Sequence, residues 1–194
     1  MRSRVGDQWI VANLVKHPDI QSKLYSEITG KWRAWYLKAT LLEALRRHLP
    51  GHFVLPHRVT KEVELDGYMI PKNRLVNFMV ADLVWDLKVW KDLIEFKSDR
   101  FLANGGEEFD IMGSREIKMM PFGVGRRICL GWGLALLHME YFVANSIWYF
   151  EWTSIQEPTT SLGSDNIEMS EKQEFTTVMK NPLRARISPR MSSV

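Results

Sequence analysis

A single cysteine, Cys129, lies in the run 122–131, which reads Phe-Gly-Val-Gly-Arg-Arg-Ile-Cys-Leu-Gly. No other stretch of the chain limits the fold as tightly. An apolar pattern of helical length follows at once, so the sulfur is expected at the mouth of a helix. A helix N-terminus carries unpaired N–H groups and about half a positive charge, and so favours an anion such as a thiolate. Arg126 and Arg127 add positive charge just ahead of the sulfur. Gly123 and Gly125 permit φ > 0 and a tight fold around it, and Gly131 would let a flat ligand lie close to the helix start.

Other chemistries for this loop fail on composition. A phosphate-binding loop needs Gly-x-x-x-x-Gly-Lys-Ser/Thr, and both the lysine and the hydroxyl are missing. Gly123-Val-Gly125 lacks the third glycine and the preceding β-branched strand of a dinucleotide fingerprint. A structural zinc site takes four Cys or His ligands at short spacing, and one cysteine with scattered His17, His48, His52, His57 and His138 does not supply it. A papain-like nucleophile needs a neighbouring base, whereas the neighbours here are arginines.

One thiolate on an iron whose other positions are filled by a porphyrin is a recognised haem site. The spacing Phe-x-x-Gly-x-Arg-x-Cys-x-Gly, carried by Phe122, Gly125, Arg127, Cys129 and Gly131, resembles the haem-binding loop of the cytochrome P450 monooxygenases. Five such positions match by chance in roughly one in tens of thousands of chains this long. A lone cysteine is ordinarily a small buried hydrophobe; the four matched positions favour ligation instead.

The rest of the chain predicts a mainly α protein with small β-sheets. Residues 8–15 read as a helix interrupted at His17-Pro18, and Pro18 opens a second helix to about Ile28, with Ile20, Leu24 and Ile28 on one stripe and Gly30 as its stop. A third helix runs from Trp35 to about His48 on Leu37, Leu41, Leu42 and Leu45, ended by Pro50-Gly51. Short strands are expected at 53–55, 62–65 and 73–78, with turns at Asp66-Gly67 and 71–73. Two short helical turns follow between 81 and 96, then a long irregular loop carrying Gly105, Gly106 and Gly113. Residues 174–179 and 184–188 flank Lys180-Asn181-Pro182 and read as a closing hairpin, and 156–165 reads as a polar loop.

Residues 130–150 are apolar enough to span a bilayer. His138, Glu140 and Asn145 lie near the middle, where an acidic residue costs roughly 2.5–3.5 kcal/mol, so a buried core helix is the preferred reading. Hydrophobic residues at 45% and charged residues at 25% suit a soluble globular piece. The net charge of +3 is interspersed, which gives no reason to expect nucleic acid as a partner. One cysteine excludes an internal disulfide and fits a reducing compartment, and no cleavable signal is visible at residues 1–5.

Three further matches extend the resemblance from Trp9 to Arg190. Glu43-Ala-Leu-Arg46 is similar to the family's Glu-x-x-Arg, and Phe96-Lys-Ser-Asp-Arg100-Phe101 to its Pro-Glu-Arg-Phe, with Ser98 and Asp99 in place of proline and glutamate. The resemblance implies a buried network of Glu43, Arg46 and Arg100 that pins the loop leading to the thiolate; read without it, Glu43 and Arg46 are an i,i+3 pair worth about 0.2–0.5 kcal/mol. Arg127 and, in Leu55-Pro56-His57, His57 stand where the family holds the haem propionates, although a solvated loop histidine is an equal reading of His57. The run Gly67-Tyr-Met-Ile-Pro71-Lys72, Val76-Asn77 and Trp85-Asp86 to Trp90 resembles the plant microsomal branch.

What the resemblance implies is the C-terminal part of the P450 fold, haem b (iron protoporphyrin IX) on Cys129, and insertion of one atom of dioxygen into a small organic substrate. Electrons would come from an NADPH-dependent cytochrome reductase, at the cytoplasmic face of the endoplasmic reticulum membrane through an N-terminal anchor. The family's Ala-Gly-x-Asp/Glu-Thr-Thr helix would lie just upstream of residues 8–14, where residues 1–7 do not match it. Leu130, Leu87 and Leu93 also replace usual prolines. The expectation is therefore a partial haem-binding domain over residues 1–194, without anchor or oxygen-activating helix, cytoplasmic by itself and not hydroxylating as it stands. The alternative is a non-catalytic haem-binding or misfolded remnant of a truncated gene.

Overall fold

In the computed structural model, residues 5–30, 34–102, 109–155 and 167–190 are described. The polar loop expected at 156–165, and Gly105 and Gly106, lie outside them. Three helices come first: α1 (Val5–Lys16), α2 (Pro18–Thr29) and α3 (Trp35–Arg47). Pro18 holds the first position of α2, where its missing N–H costs nothing, and so makes the break after α1. Ile20, Leu24 and Ile28 of α2 and Leu37, Leu41 and Leu45 of α3 are buried stripes with helical spacing, while Leu42 is half-buried. α1 is buried on nearly every side: Trp9, Ile10, Val11, Ala12, Leu14 and Val15 are buried, and so are the polar Asp7 and Asn13. It occupies the centre, against α2, α3 and the long C-terminal helix α5 (Trp132–Tyr149).

Between α3 and α5 come β1 (His57–Arg58), β2 (Val63–Leu65), β3 (Tyr68–Ile70), β4 (Leu75–Val76) and the single-turn α4 (Ala81–Val84). The β2–β3 hairpin turns on Asp66 (φ 50°) and Gly67 (φ 79°), a pair of left-handed residues that matches strand twist. The strand expected at 53–55 reduces to one bridge between Phe53 and Met79, because Pro56 has no N–H to extend a ladder toward β1. Of the two helical turns expected before Phe96, α4 is one; the other is a single turn closed by the Trp90 N–H on Asp86 O at 2.9 Å.

The closing hairpin is paired differently from expectation. β7 (Thr177–Met179) pairs with β6 (Glu171–Gln173), and β8 (Ala185–Pro189) crosses to β5 (Phe150–Ser154), which continues directly from α5. β5 offers β8 a ladder from Phe150↔Pro189 to Ser154↔Ala185, and the turn at Glu174-Phe175-Thr176 already returns β7 onto β6.

α5 is less covered than the expected buried core helix. Only Met139, Val143 and Ile147, one stripe at i, i+4 and i+8, are buried; Leu134, Leu137 and Tyr141 are 70%, 62% and 70% exposed. Apolar residues ring the whole helix, and α1, α2 and α3 cover one side of it. Among the described residues no helix is long and apolar enough to cross a membrane.

Gln21 ties α2 to β5. Its buried amide donates to Leu14 O (3.2 Å) and Trp152 O (2.9 Å) and accepts from the Trp152 N–H (2.9 Å). Gln21→Ala strands those backbone groups and is expected to cost about 1–3 kcal/mol, read as a lower urea midpoint with an unchanged slope.

Candidate functional site

The cysteine loop is built from its own backbone. Gly123 (φ 72°) and Gly125 (φ 63°) turn the chain in a region closed to most side chains, and a short 3₁₀ turn spans Gly125–Arg127. The Cys129 N–H donates to Phe122 O at 2.8 Å, closing the loop, and the Trp132 N–H returns to Cys129 O at 3.2 Å. Cys129 therefore stands two residues before Gly131, the N-cap of α5, rather than inside the helix. Its side chain is a free, exposed thiol. Gly131 has an ordinary φ of −91°, and a Cβ there would stand 4.0 Å from the Cys129 sulfur; a Cβ at Gly133 would meet nothing within 4 Å. The glycines at the start of α5 thus leave open space beside the sulfur. Leu130 and Leu134, 98% and 70% exposed, add an apolar edge. Phe122 packs half-buried on the core, while Arg126 and Arg127 are exposed.

His57 stands apart on β1, paired across the sheet with Val76. Its Nδ1 is buried without a hydrogen-bond partner, and its ring meets Phe78 edge-on at 5.9 Å. No hydrogen bond joins it to the cysteine loop among the described residues.

Glu43, Arg46 and Arg100 are brought together. Arg46 grips the Glu43 carboxylate with two N–H groups, Nε to Oε2 at 2.7 Å and Nη2 to Oε1 at 2.9 Å. Arg100 Nε reaches Glu43 Oε1 at 3.2 Å, and the backbone N–H of Lys97 reaches the same oxygen at 2.9 Å. Glu43 and Arg46 are 0% and 1% exposed, so the arrangement is that of a buried fork with its lone pairs satisfied. Arg46 also donates to Leu93 O at 3.0 Å and lies 5.5 Å from the Trp90 ring centre. Arg100 extends to the carbonyls of Lys91, Asp92 and Glu95. Residues 91–97, just ahead of the 3₁₀ turn Ser98–Phe101, are thereby bound to α3 through guanidinium groups.

Two parts of this arrangement had no signal in the spacing. The Lys97 amide and the carbonyls are backbone groups, invisible to a motif. Ser98, which departs from the family's proline, donates or accepts a buried hydroxyl contact with Thr40 at 2.9 Å. In the loop leading to the cysteine, Asp110 accepts the Arg115 N–H at 2.6 Å and the Ser114 hydroxyl at 3.0 Å, which hold its carboxyl down to about 2. A cavity of about 750 Å³ lies between α3, α5 and this loop, walled by Trp35, Leu42, Phe101, Phe109, Trp132 and Leu136. Cys129 is not among its walls, so it is separate from the sulfur.

Comparison with known proteins bears on the same residues. The family model for cytochrome P450 matches residues 5–178. The chain belongs to the cytochrome P450 family. Cytochrome P450 89A9 of Arabidopsis thaliana is 46% identical over 94% of this chain and 38% of its own length. The flavonoid 3'-monooxygenase of Arabidopsis thaliana is 31% identical over 95% of this chain and 37% of its own. A zebrafish cytochrome P450 solved with abiraterone superposes with a TM-score of 0.78 at 22% identity, covering 97% of this chain and 44% of that one. The last shows the fold: five helices and small antiparallel sheets among the described residues form the C-terminal part of the P450 fold. The chain spans well under half the length of the curated P450 relatives it matches.

Proposed function

We propose that this P450 chain is the haem-binding portion of a haem-thiolate monooxygenase, and that residues 1–194 act as one partial domain in that role. The exposed sulfur of Cys129, held by a glycine-turned loop beside open space at the start of α5, is the observation that carries the reading. The residues present fit a haem. Cys129 would hold the iron through its sulfur, and Gly125 and Gly131 leave room for the ring. The Arg127 guanidinium suits a propionate carboxylate, and the Nδ1 of His57 is a buried polar atom without a hydrogen-bond partner among the described residues. Phe122 backs the loop against the core. When bound, haem supplies dioxygen activation, and a thiolate ligand favours O–O cleavage.

The remaining work falls to side chains. Glu43, Arg46 and Arg100 hold α3 and the segment before Ser98 in fixed register, which keeps the approach to the cysteine loop rigid. Exposed Leu130 and Leu134 present apolar surface to a flat apolar ligand. The proposed substrate is a small organic molecule, the electron donor is an NADPH-dependent cytochrome reductase, and the site of action is the endoplasmic reticulum membrane.

The test supplies the haem-reconstituted chain with reductase, NADPH and a panel of fatty-acid and aromatic substrates. Haem binding with no oxygenated product above a Cys129→Ala control is the expected result for this partial domain, and a wild-type chain that binds no haem would contradict the reading. Product above that control would instead show that residues 1–194 hydroxylate by themselves.

A further inference from the structure

The β6–β7 hairpin is docked onto the C-terminal end of α3 through a histidine that the haem-site reading does not use. The His48 ring, 8% exposed, stacks flat on Trp9 of α1 at 4.1 Å between centres. The Trp9 indole N–H in turn reaches Thr177 O of β7 at 3.4 Å. The Thr177 N–H donates to Pro50 O at 2.8 Å, and Met179 packs with Trp9 and Ala12 in a small separate core. Neither ring nitrogen of His48 has a hydrogen-bond partner among the described residues. The nearest acid, Glu171 of β6, stands 3.7 Å from His48 Nδ1, too far for a hydrogen bond, and instead meets His52 Nε2 at 2.9 Å.

We infer that His48 makes the docking of this hairpin acid-sensitive: a neutral imidazole is stacked inside the closed joint, and a proton on it releases β6–β7 from α1 and α3. The charged groups that act on the ring are Arg46 and Arg47 from its own helix and Glu171 from β6, and His52 on the connecting loop pairs with the same Glu171. Burial, the larger effect, and the two arginines push the His48 imidazole below its usual value, while Glu171 pulls the other way. The sign follows directly. With the joint closed the ring resists protonation; with it open the ring meets water and takes a proton near an ordinary pH of about 6.5. Docking is therefore fully present above that value and weakens as pH falls below it. Glu171 is itself held below the usual carboxylate range by the neighbouring His48 and His52 rings, and stays ionised near the ordinary imidazole value. The His52–Glu171 pair is partly open to water and contributes little.

The release would loosen a defined element. The turn of the hairpin holds Phe175 out in solvent at 96% exposure, and the Pro50 carbonyl it grips lies on the segment leading to His57. Hydrogen exchange of the hairpin amides in the full chain, corrected for intrinsic rates, tests the inference. One linked proton predicts an opening constant rising up to about tenfold per pH unit below about 6.5. His48→Phe keeps a ring on Trp9 without a titrating nitrogen and is expected to flatten the profile. A flat wild-type profile, or the same rise in His48→Phe, overturns the inference. Imidazole NMR titration gives an independent reading that needs no variant: His48 titrating at or above the ordinary value, with no rise in hairpin exchange, also overturns it.

Discussion

Arg46→Ala is expected to destabilise the chain by about 3–5 kcal/mol, the cost of stranding a buried charge. Glu43 is 0% exposed, and Arg46 supplies two of the four donors on its carboxylate, the others coming from Lys97 N and Arg100 Nε. The same substitution frees Leu93 O and removes the cation from the Trp90 ring. Arg46→Lys should recover only part of the loss, because an ammonium cannot form the two-pronged grip. Replacing Glu43 and Arg46 together by leucine should cost less than Arg46→Ala alone, since no charge is then left buried. Urea unfolding followed by far-UV circular dichroism measures all three variants. A loss below about 1 kcal/mol for Arg46→Ala would place the pair with ordinary exposed ion pairs.

The sequence made some of these elements readable and hid others for physical reasons. Pro18, the leucine stripe of α3 and the Asp66-Gly67 turn each impose local geometry, so the helices and the β2–β3 hairpin could be read directly. The cysteine loop was legible for the same reason, since Gly123 and Gly125 are where the backbone turns left-handed. Strand partners are non-local. Glu171-Lys-Gln173 has poor strand propensity yet pairs with β7, which left β8 free for β5. The open face of α5 was likewise hidden, because a helix apolar all round does not declare which side its neighbours cover. The His48 joint depends on Trp9 of α1 and on Glu171 and Thr177 of the β6–β7 hairpin, both far from His48 in the chain, and no spacing could announce it.

The largest all-or-none effect belongs to Cys129. It is the only thiol in the chain, so no second sulfur can substitute for it. Its backbone N–H is fixed on Phe122 O and its sulfur is exposed, so the side chain can be removed with little disturbance of the loop. Cys129→Ala should leave the fold intact by circular dichroism while removing the thiolate, and Cys129→His should convert any bound haem to a histidine-type spectrum. The direct measurement is the absorbance spectrum of the haem-reconstituted chain, reduced and exposed to carbon monoxide. A thiolate-type Soret band in the wild type, lost in Cys129→Ala, is the predicted result. A wild type that shows only the histidine-type band, or a thiolate-type band that survives in Cys129→Ala, would contradict the assignment of Cys129 as the haem ligand.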